Sequence, residues 1–231
     1  MSILAISTFD TNTEGWTPYL DARQSWSSFG NPTGSLENVD IAGNDPHGFN
    51  APSIFLGNQL AAFGGTINAD LYINAVNLGE YGVPDIFLRG SNGLTIGADL
   101  NVPVAGRWNP RSVRLDASQN WRIGDLSGPV ATNEQILSVL SNVTQLVISG
   151  EYNNGADTAY LDNVILSSGS SISINDVAIT EGNSGIAQAR FTVSLSNPST
   201  FPISVDYSTQ DGSGITGARA GQDYLSIGGT L

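Results

Sequence analysis

Apolar and polar residues alternate along most of the chain with a period of two. Between Thr66 and Asn74, the stretch TINADLYIN sets Ile67, Ala69, Leu71 and Ile73 against Asn68, Asp70, Tyr72 and Asn74. That is the signature of a strand with one buried face. DIFLRGSNGLTIGADL reads as two strands around a Gly90-Ser91-Asn92-Gly93 turn, because Asn and Gly accept the positive φ that tight hairpins need. RSVRLDAS places Val113 and Leu115 on one face with Arg114 between them. The opening residues, MSILAISTFD, hold only four consecutive apolar positions, Ile3 to Ile6, and read as a first strand.

One stretch breaks the period. In ATNEQILSVLSNVTQLVISGEY, Thr132 stands at a helix cap and Gln135 at the return position of a capping box, followed by an apolar stripe of Ile136, Leu137, Val139 and Leu140. A helix is expected from there to about Asn142. QLVISGEY and TAYLDNVILS follow as closing strands, the second interrupted by the polar pair Asp162-Asn163.

SSGSS, Ser167 to Ser171, reads as a linker. Beyond it Phe191, Val193 and Leu195, then Ile203, Val205 and Tyr207, alternate with polar residues between EGNSG and SNPST turns. Two domains are therefore expected, 1–167 and 168–231. The second is shorter than the roughly 100 residues of an immunoglobulin-like sandwich, so it is expected to be incomplete at its C-terminus. Unpaired strand edges there would invite self-association.

Composition agrees with an all-β chain. There are 27 Gly and 10 Pro beside 13% charged residues, and 40% hydrophobic content is enough for a core. Twenty-one acids face eight bases, every one of them Arg, for a formal net charge of −13. Such a surface repels phosphate backbones and anionic headgroups, which argues against nucleic acid and membrane-surface partners. It favours divalent cations that take oxygen ligands. With no Cys there is neither a disulfide framework nor a thiolate metal site, and no run approaches the roughly 20 apolar residues of a membrane span.

INDVAITEGNSG (174–185), FTVSLS (191–196), VDYSTQDGSG (205–214) and AGQDYLSIGGTL (220–231) resemble the Calx-beta family in order and spacing. The resemblance implies the first part of an immunoglobulin-like sandwich, of a kind found in large extracellular bacterial proteins, with some members binding calcium at one end. By position it carries Glu181, Asp211 and Asp223 over as metal ligands. Gly228 stands where calcium-binding members have an acid, and three carboxylates do not readily fill the six to eight oxygen positions of Ca²⁺, so that cluster is expected to be incomplete.

STFDTNTEGWT (7–17), WSSFGNPTGSLENVD (26–40), FLGNQLAAFGGTINADL (55–71), ATNEQILSVLSNVTQLVISGEY (131–152) and GADTAYLDNVIL (155–166) resemble the laminin B, or laminin type IV A, domain of bacterial, including cyanobacterial, surface proteins. This implies a galactose-binding-like jelly-roll β-sandwich with one short helix, active in adhesion and without catalytic residues. In that fold the exit of the first strand and the last strand share a structural calcium, which here implicates Asp10 and Asp162 with Glu37 nearby. Alternatively, Asp162 accepts hydrogen bonds from backbone NH groups of an adjoining loop; burying a lone Asp otherwise carries a heavy desolvation penalty.

Of the four Trp, Trp16 is expected to pack inward, whereas Trp26 sits among Gln24, Ser25, Ser27 and Ser28 and is the candidate platform for a sugar ring. His47, in NDPHGFN, reads as a loop residue with no nucleophile motif beside it. No phosphate loop, zinc motif or dinucleotide fingerprint occurs. The sequence thus points to a non-enzymatic, extracellular or cell-surface module for adhesion or ligand binding, with structural Ca²⁺ and a glycan or matrix ligand. The alternative is a carbohydrate-binding module that accompanies a polysaccharide-acting enzyme.

Overall fold

The computed structural model describes residues 2–41, 46–76, 78–79, 81–153, 155, 157–180, 185–196, 203–214 and 217–231. The chain divides into two compact units, Met1–Ser196 and Asn197–Leu231. The strands of the first unit begin with β1 (Ile3–Ser7), β2 (Thr17–Leu20), β3 (Ala22–Ser27), β4 (Ser35–Asp40), β5 (His47–Asn50) and β6 (Thr66–Ile73). They continue with β7 (Ile86–Gly90), β8 (Thr95–Ala98), β9 (Trp108–Arg114) and β10 (Arg122–Ile123). Helix α1 (Asn133–Leu140) precedes β11 (Val143–Ser149) and β12 (Thr158–Ser167).

These strands form two six-stranded sheets of an all-β jelly-roll sandwich with one short helix. The first has the order β3-β4-β12-β6-β9, with β1 also paired to β12; the second runs β10-β8-β7-β11-β5-β2. Strict alternation builds the core between them. In β6 the odd positions Ile67, Ala69, Leu71 and Ile73 are buried and the even ones half-buried, as the sequence predicts. Their neighbours Leu36, Val113, Leu161 and Val164 meet Ile86, Leu88, Ile96, Leu146 and Ile148 of the other sheet in one cluster. Each such side chain contributes roughly 1.5–3 kcal/mol on burial.

The hairpin between β7 and β8 forms at the expected turn, where Gly93 takes φ +82° and its NH bonds to Gly90 O at 3.0 Å. Gly90 is needed there for a second reason. A Cβ at that position would stand 3.0 Å from Val139 Cα of α1. The helix carries the expected capping box, with Thr132 and Gln135 bonded reciprocally. It ends at Leu140, slightly before Asn142, where backbone bonds from Asn142 and Ser91 already lead into β11.

His47 is not a loop residue. It opens β5 and is fully buried, its Nδ1 3.0 Å from Asn38 Oδ1 and its Nε2 2.7 Å from Asp157 Oδ1. A partner 110 positions away is invisible to local pattern, which is why the turn-like surroundings mislead. Trp16 does pack inward, edge-on to Phe9 and Phe55, with its indole NH bonded to Ser7 Oγ at 2.9 Å.

After β12 the texture changes. β13 (Ile172–Ile174) pairs with β14 (Val193–Leu195), and in the second unit β15 (Asp206–Ser208) pairs with β16 (Gly228–Thr230). No described residue from 171 onward is buried.

A buried polar clamp ties the two sheets at one end. Arg111, on the inner face of β9, lies 3.0 Å from Asp85, which precedes β7, and also donates to Asn101 O and Tyr152 OH. Asp85 accepts further bonds from Tyr152 OH and Leu100 NH, yet burial still lifts its carboxyl above the usual range. Arg111→Ala strands that carboxylate and is expected to lower the unfolding free energy by about 3–5 kcal/mol in urea titrations. A loss under about 1 kcal/mol would mean the clamp does not join the sheets.

Candidate functional site

Residues opposite one another in neighbouring strands share a face. Across the first sheet, register places Ser25, Glu37, Tyr160, Tyr72 and Trp108 in one row. Their parity is that of the polar positions of β6, so the row lies on the solvent side, away from the core. Phe29, from the loop between β3 and β4, leans onto the three rings. It stacks on Trp108 at 5.5 Å and 19° and meets Tyr72 and Tyr160 edge-on at 4.9 and 5.0 Å. Phe29 remains 43% exposed. Four aromatic rings on the outer face of one sheet form a patch that core packing does not require.

Glu37 is committed to this row. Its Oε1 accepts from Tyr160 OH at 2.9 Å and its Oε2 from Ser25 Oγ at 3.1 Å. Burial first, then the bond and charge of Glu37, push the Tyr160 phenol up to about 12.

The adjacent row holds Asp162 and Asp70, which face each other across β12 and β6. Here the polar pair in the closing strand finds its explanation. β12 pairs with β4 through Leu161 and with β1 from Val164 onward, and its register against β6 shifts between Asp162 and Ile165. Asn163 takes φ +50° at this bulge. Asp162, 1% exposed, turns its carboxylate to the loop, accepting from Asn31 NH at 2.8 Å and from Asn163 NH at 2.7 Å. Asp70 Oδ2 accepts from the side-chain amides of Asn163 and Asn31 at 2.9 and 3.2 Å. Gly34 closes the same loop at φ +75°, where a Cβ would stand 2.3 Å from Phe9 O.

Burial raises Asp162 to about 6 despite its two NH donors, and the charges of Asp70 and Asp10 add to the rise. Asp10 accepts from Thr8 Oγ1 at 2.9 Å. Of the alternatives for Asp162, the bonds to backbone NH groups of a neighbouring loop are what the geometry displays.

The remaining candidates lie elsewhere. Trp26 occupies the opposite parity of β3, across from Leu36, with its indole NH bonded to Phe9 O at 2.6 Å and 39% of its surface exposed. Asp211 accepts from Ala220 NH and Tyr224 OH, both at 2.8 Å, and Asp223 from Arg219 NH at 2.8 Å. Both hold one turn. Glu181 lies outside the described residues. Among the described residues, no group of three or more His, Asp or Glu side chains is arranged to hold a metal ion, and no helix is long and apolar enough to cross a membrane.

A second acidic group surrounds His47. Glu151 is pushed up to about 7, first by burial and then by the charges of Asp157 and Asp40, against the pull of His47. It lies beside the His47–Asp157 contact that pins β5 to the segment before β12.

The sequence reading missed Tyr72, Trp108, Tyr160 and Phe29 as a group. One signal was available: Tyr72 stands at a polar position of a strict alternation, so its ring had to face outward.

The fold is a two-sheet β-sandwich that carries a row of aromatic side chains on one outer face. The family model for Laminin B (Domain IV) matches residues 48–180, and the chain belongs to that family. Over 126 residues, half of this chain, it is 36% identical to laminin subunit alpha-1 of Mus musculus. Over 140 residues, 57% of the chain, it is 29% identical to the Homo sapiens protein of that name. In each case it spans 4% of the relative's length. Among solved structures, the L4b domain of human laminin alpha-2 is similar at TM-score 0.49 and 20% identity, covering 54% of this chain and 71% of that one. The Family 11 Carbohydrate-Binding Module of a Clostridium thermocellum cellulosomal cellulase is similar at TM-score 0.45 and 16% identity, covering 72% and 96%.

The raised carboxyls fix the direction of the pH response. Asp162 and Glu151 hold protons more tightly folded than unfolded, so both favour the folded state below the ordinary Asp and Glu range and lose that contribution as pH rises through about 6 for Asp162 and about 7 for Glu151. Stability is expected to fall between about pH 4 and pH 7, and Glu151→Gln to flatten the upper part of that slope in chemical denaturation. A slope of opposite sign would show that both carboxyls are ionised and compensated in the folded state.

Proposed function

We propose that this domain is a non-catalytic ligand-binding module of an extracellular protein and that it binds carbohydrate on the outer face of its first sheet. The observation that carries the reading is the cluster of Phe29, Tyr72, Trp108 and Tyr160 at ring distances of 4.9 to 5.8 Å on a solvent-facing row. The rings stand at steep angles around the half-exposed Phe29, and such an aromatic cluster flanked by fixed polar groups suits the apolar faces and hydroxyl edges of sugar rings.

Asp162 has the raised pKa of a general acid and a second carboxylate beside it, the pairing that glycoside hydrolysis uses. It is nevertheless buried beneath the 28–34 loop with both oxygens engaged by NH groups, beyond reach of a substrate on the aromatic row. That favours binding without turnover. Membership of the Laminin B family supports an extracellular setting and a role in adhesion. Residues 168–231 are read as the first part of a Calx-beta domain in a longer bacterial surface protein, with self-association through its uncovered strands.

Structural calcium belongs to the same proposal. The buried Asp162 feels the charges of the half-buried Asp70 and the exposed Asp10, and a proton on Asp162 or a cation can neutralise them. The donor set is lean for Ca²⁺, since both Asp162 oxygens already accept NH bonds and hard cations seek six or more oxygens.

Affinity electrophoresis in a panel of soluble polysaccharides tests the main reading. Retardation by at least one polymer is expected, weakened roughly tenfold or more by Trp108→Ala, in line with about 1–3 kcal/mol per stacked ring. Trp26→Ala is the comparison: loss there with Trp108→Ala silent moves the ligand to the β3 edge. Under the calcium reading, millimolar Ca²⁺ raises the unfolding midpoint and Asp162→Asn removes the effect.

A further inference from the structure

We infer that the aromatic row is built for an uncharged, hydroxyl-rich glycan chain and discriminates against sulfated or uronate-bearing ones. This rests on the carbohydrate reading above and narrows it to a ligand class. Three lines of geometry converge on it.

The first is the length of the platform. Tyr160, Tyr72 and Trp108 occupy neighbouring strands, and strands lie roughly 4.8 Å apart, so the rings extend over about 10 Å. Two linked six-membered sugar rings cover such a platform. Phe29 lies over this row, stacked on Trp108 and edge-on to Tyr72 and Tyr160, so a chain running across the strands meets the exposed Phe29 ring together with the open parts of the three rings.

The second is the chemistry of the flanks. Glu37 continues the aromatic row at one end, and Asp70 and Asp162 run parallel to it in the next row, with Asp10 close enough to act on Asp162. Ionised carboxylates are acceptors only. Glu37 and Asp70 can accept hydrogen bonds from sugar hydroxyls but offer none to a sulfate or carboxylate.

The third is where the bases are. In the row Ser25-Glu37-Tyr160-Tyr72-Trp108 and in the neighbouring Asp162-Asp70-Pro110 there is no Arg. Arg111 points into the core and is paired with Asp85. Arg114 lies at the far end of β9, 2.9 Å from Asp116. Arg23, exposed in edge strand β3 opposite Val39, is on the same face one row beyond Ser25 and Glu37, and the exposed Arg107 precedes Trp108 in a loop. Neither joins the rows, and the chain as a whole carries −13. An anionic polymer over the rings would meet the carboxylates of Glu37 and Asp70, with bases only at the margins, Arg23 and Arg107.

Isothermal titration of the full chain decides this. The neutral probes are mixed-linkage β-glucan, arabinoxylan and galactomannan; the anionic ones are alginate, heparin and a sulfated galactan. Each is titrated at low salt and at about 0.5 M NaCl. Saturable binding is expected for at least one neutral polymer, shifting less than about twofold with salt, and none for the anionic set. Glu37→Gln, which preserves size and an acceptor for Tyr160, is expected to weaken neutral binding about fivefold. It serves as the second variant should Trp108→Ala fold poorly. Saturable binding of an anionic polymer that Trp108→Ala abolishes overturns the charge inference while leaving the ligand face standing. Neutral binding indifferent to both variants, or no polymer binding at all, overturns the carbohydrate reading beneath it.

Discussion

The divided pairing of β12 is the constraint on which the rest of the first sheet depends. Along one edge this ten-residue strand is hydrogen-bonded to β4 over its first half and to β1 over its second, while β6 accompanies it on the other edge. Two different strands cannot meet end to end without leaving a gap in the ladder. At that gap lie Asp162 and Asn163, the register shifts, and the exit of β1 and the entry of β4 come together. An unpaired stretch of central strand needs partners for its backbone: the Asn163 NH donates to Asp162 Oδ1, while the side chains of Asp162 and Asn163 bond Asn31 of the 28–34 loop.

From this arrangement the site follows. Before the bulge, alternation sends Leu161 inward and Tyr160 outward, in register with Tyr72 and Trp108. At the bulge, Asp162 secures Asn31, and with it the loop that sets Phe29 against the three rings. The carboxylate is thus a positioning residue for an aromatic surface. Its raised proton affinity reflects burial beside Asp70 and Asp10, and its location under the loop keeps it from contact with anything bound above.

Much of this could be read from the chain. Period two in TINADLYIN located β6 and its buried face, the Thr132/Gln135 pair located the helix start, and the Asp162-Asn163 interruption marked the place where the closing strand departs from regularity. What stayed hidden depends on register between distant segments. Trp26 and Trp108 look alike in sequence, yet parity across from Leu36 turns one toward the core side and register with Tyr72 turns the other outward. Similarly, nothing near His47 reveals Asp157, and nothing near Phe29 reveals the rings it joins. Local pattern reports which residues share a strand face; only the topology reports which strands are neighbours.

The central claim is that ligand meets the outer face of the first sheet at Trp108. The chain has four Trp, and three have indole NH groups bonded within the fold: Trp16 to Ser7 Oγ, Trp26 to Phe9 O and Trp121 to Arg114 O. A ¹⁵N–¹H spectrum of the indole region, recorded while a bound oligosaccharide is titrated in, therefore reports on each separately. The account predicts that the Trp108 resonance shifts in a saturable manner while those of Trp16 and Trp121 stay in place. Saturable movement of Trp26 with Trp108 unmoved would contradict it.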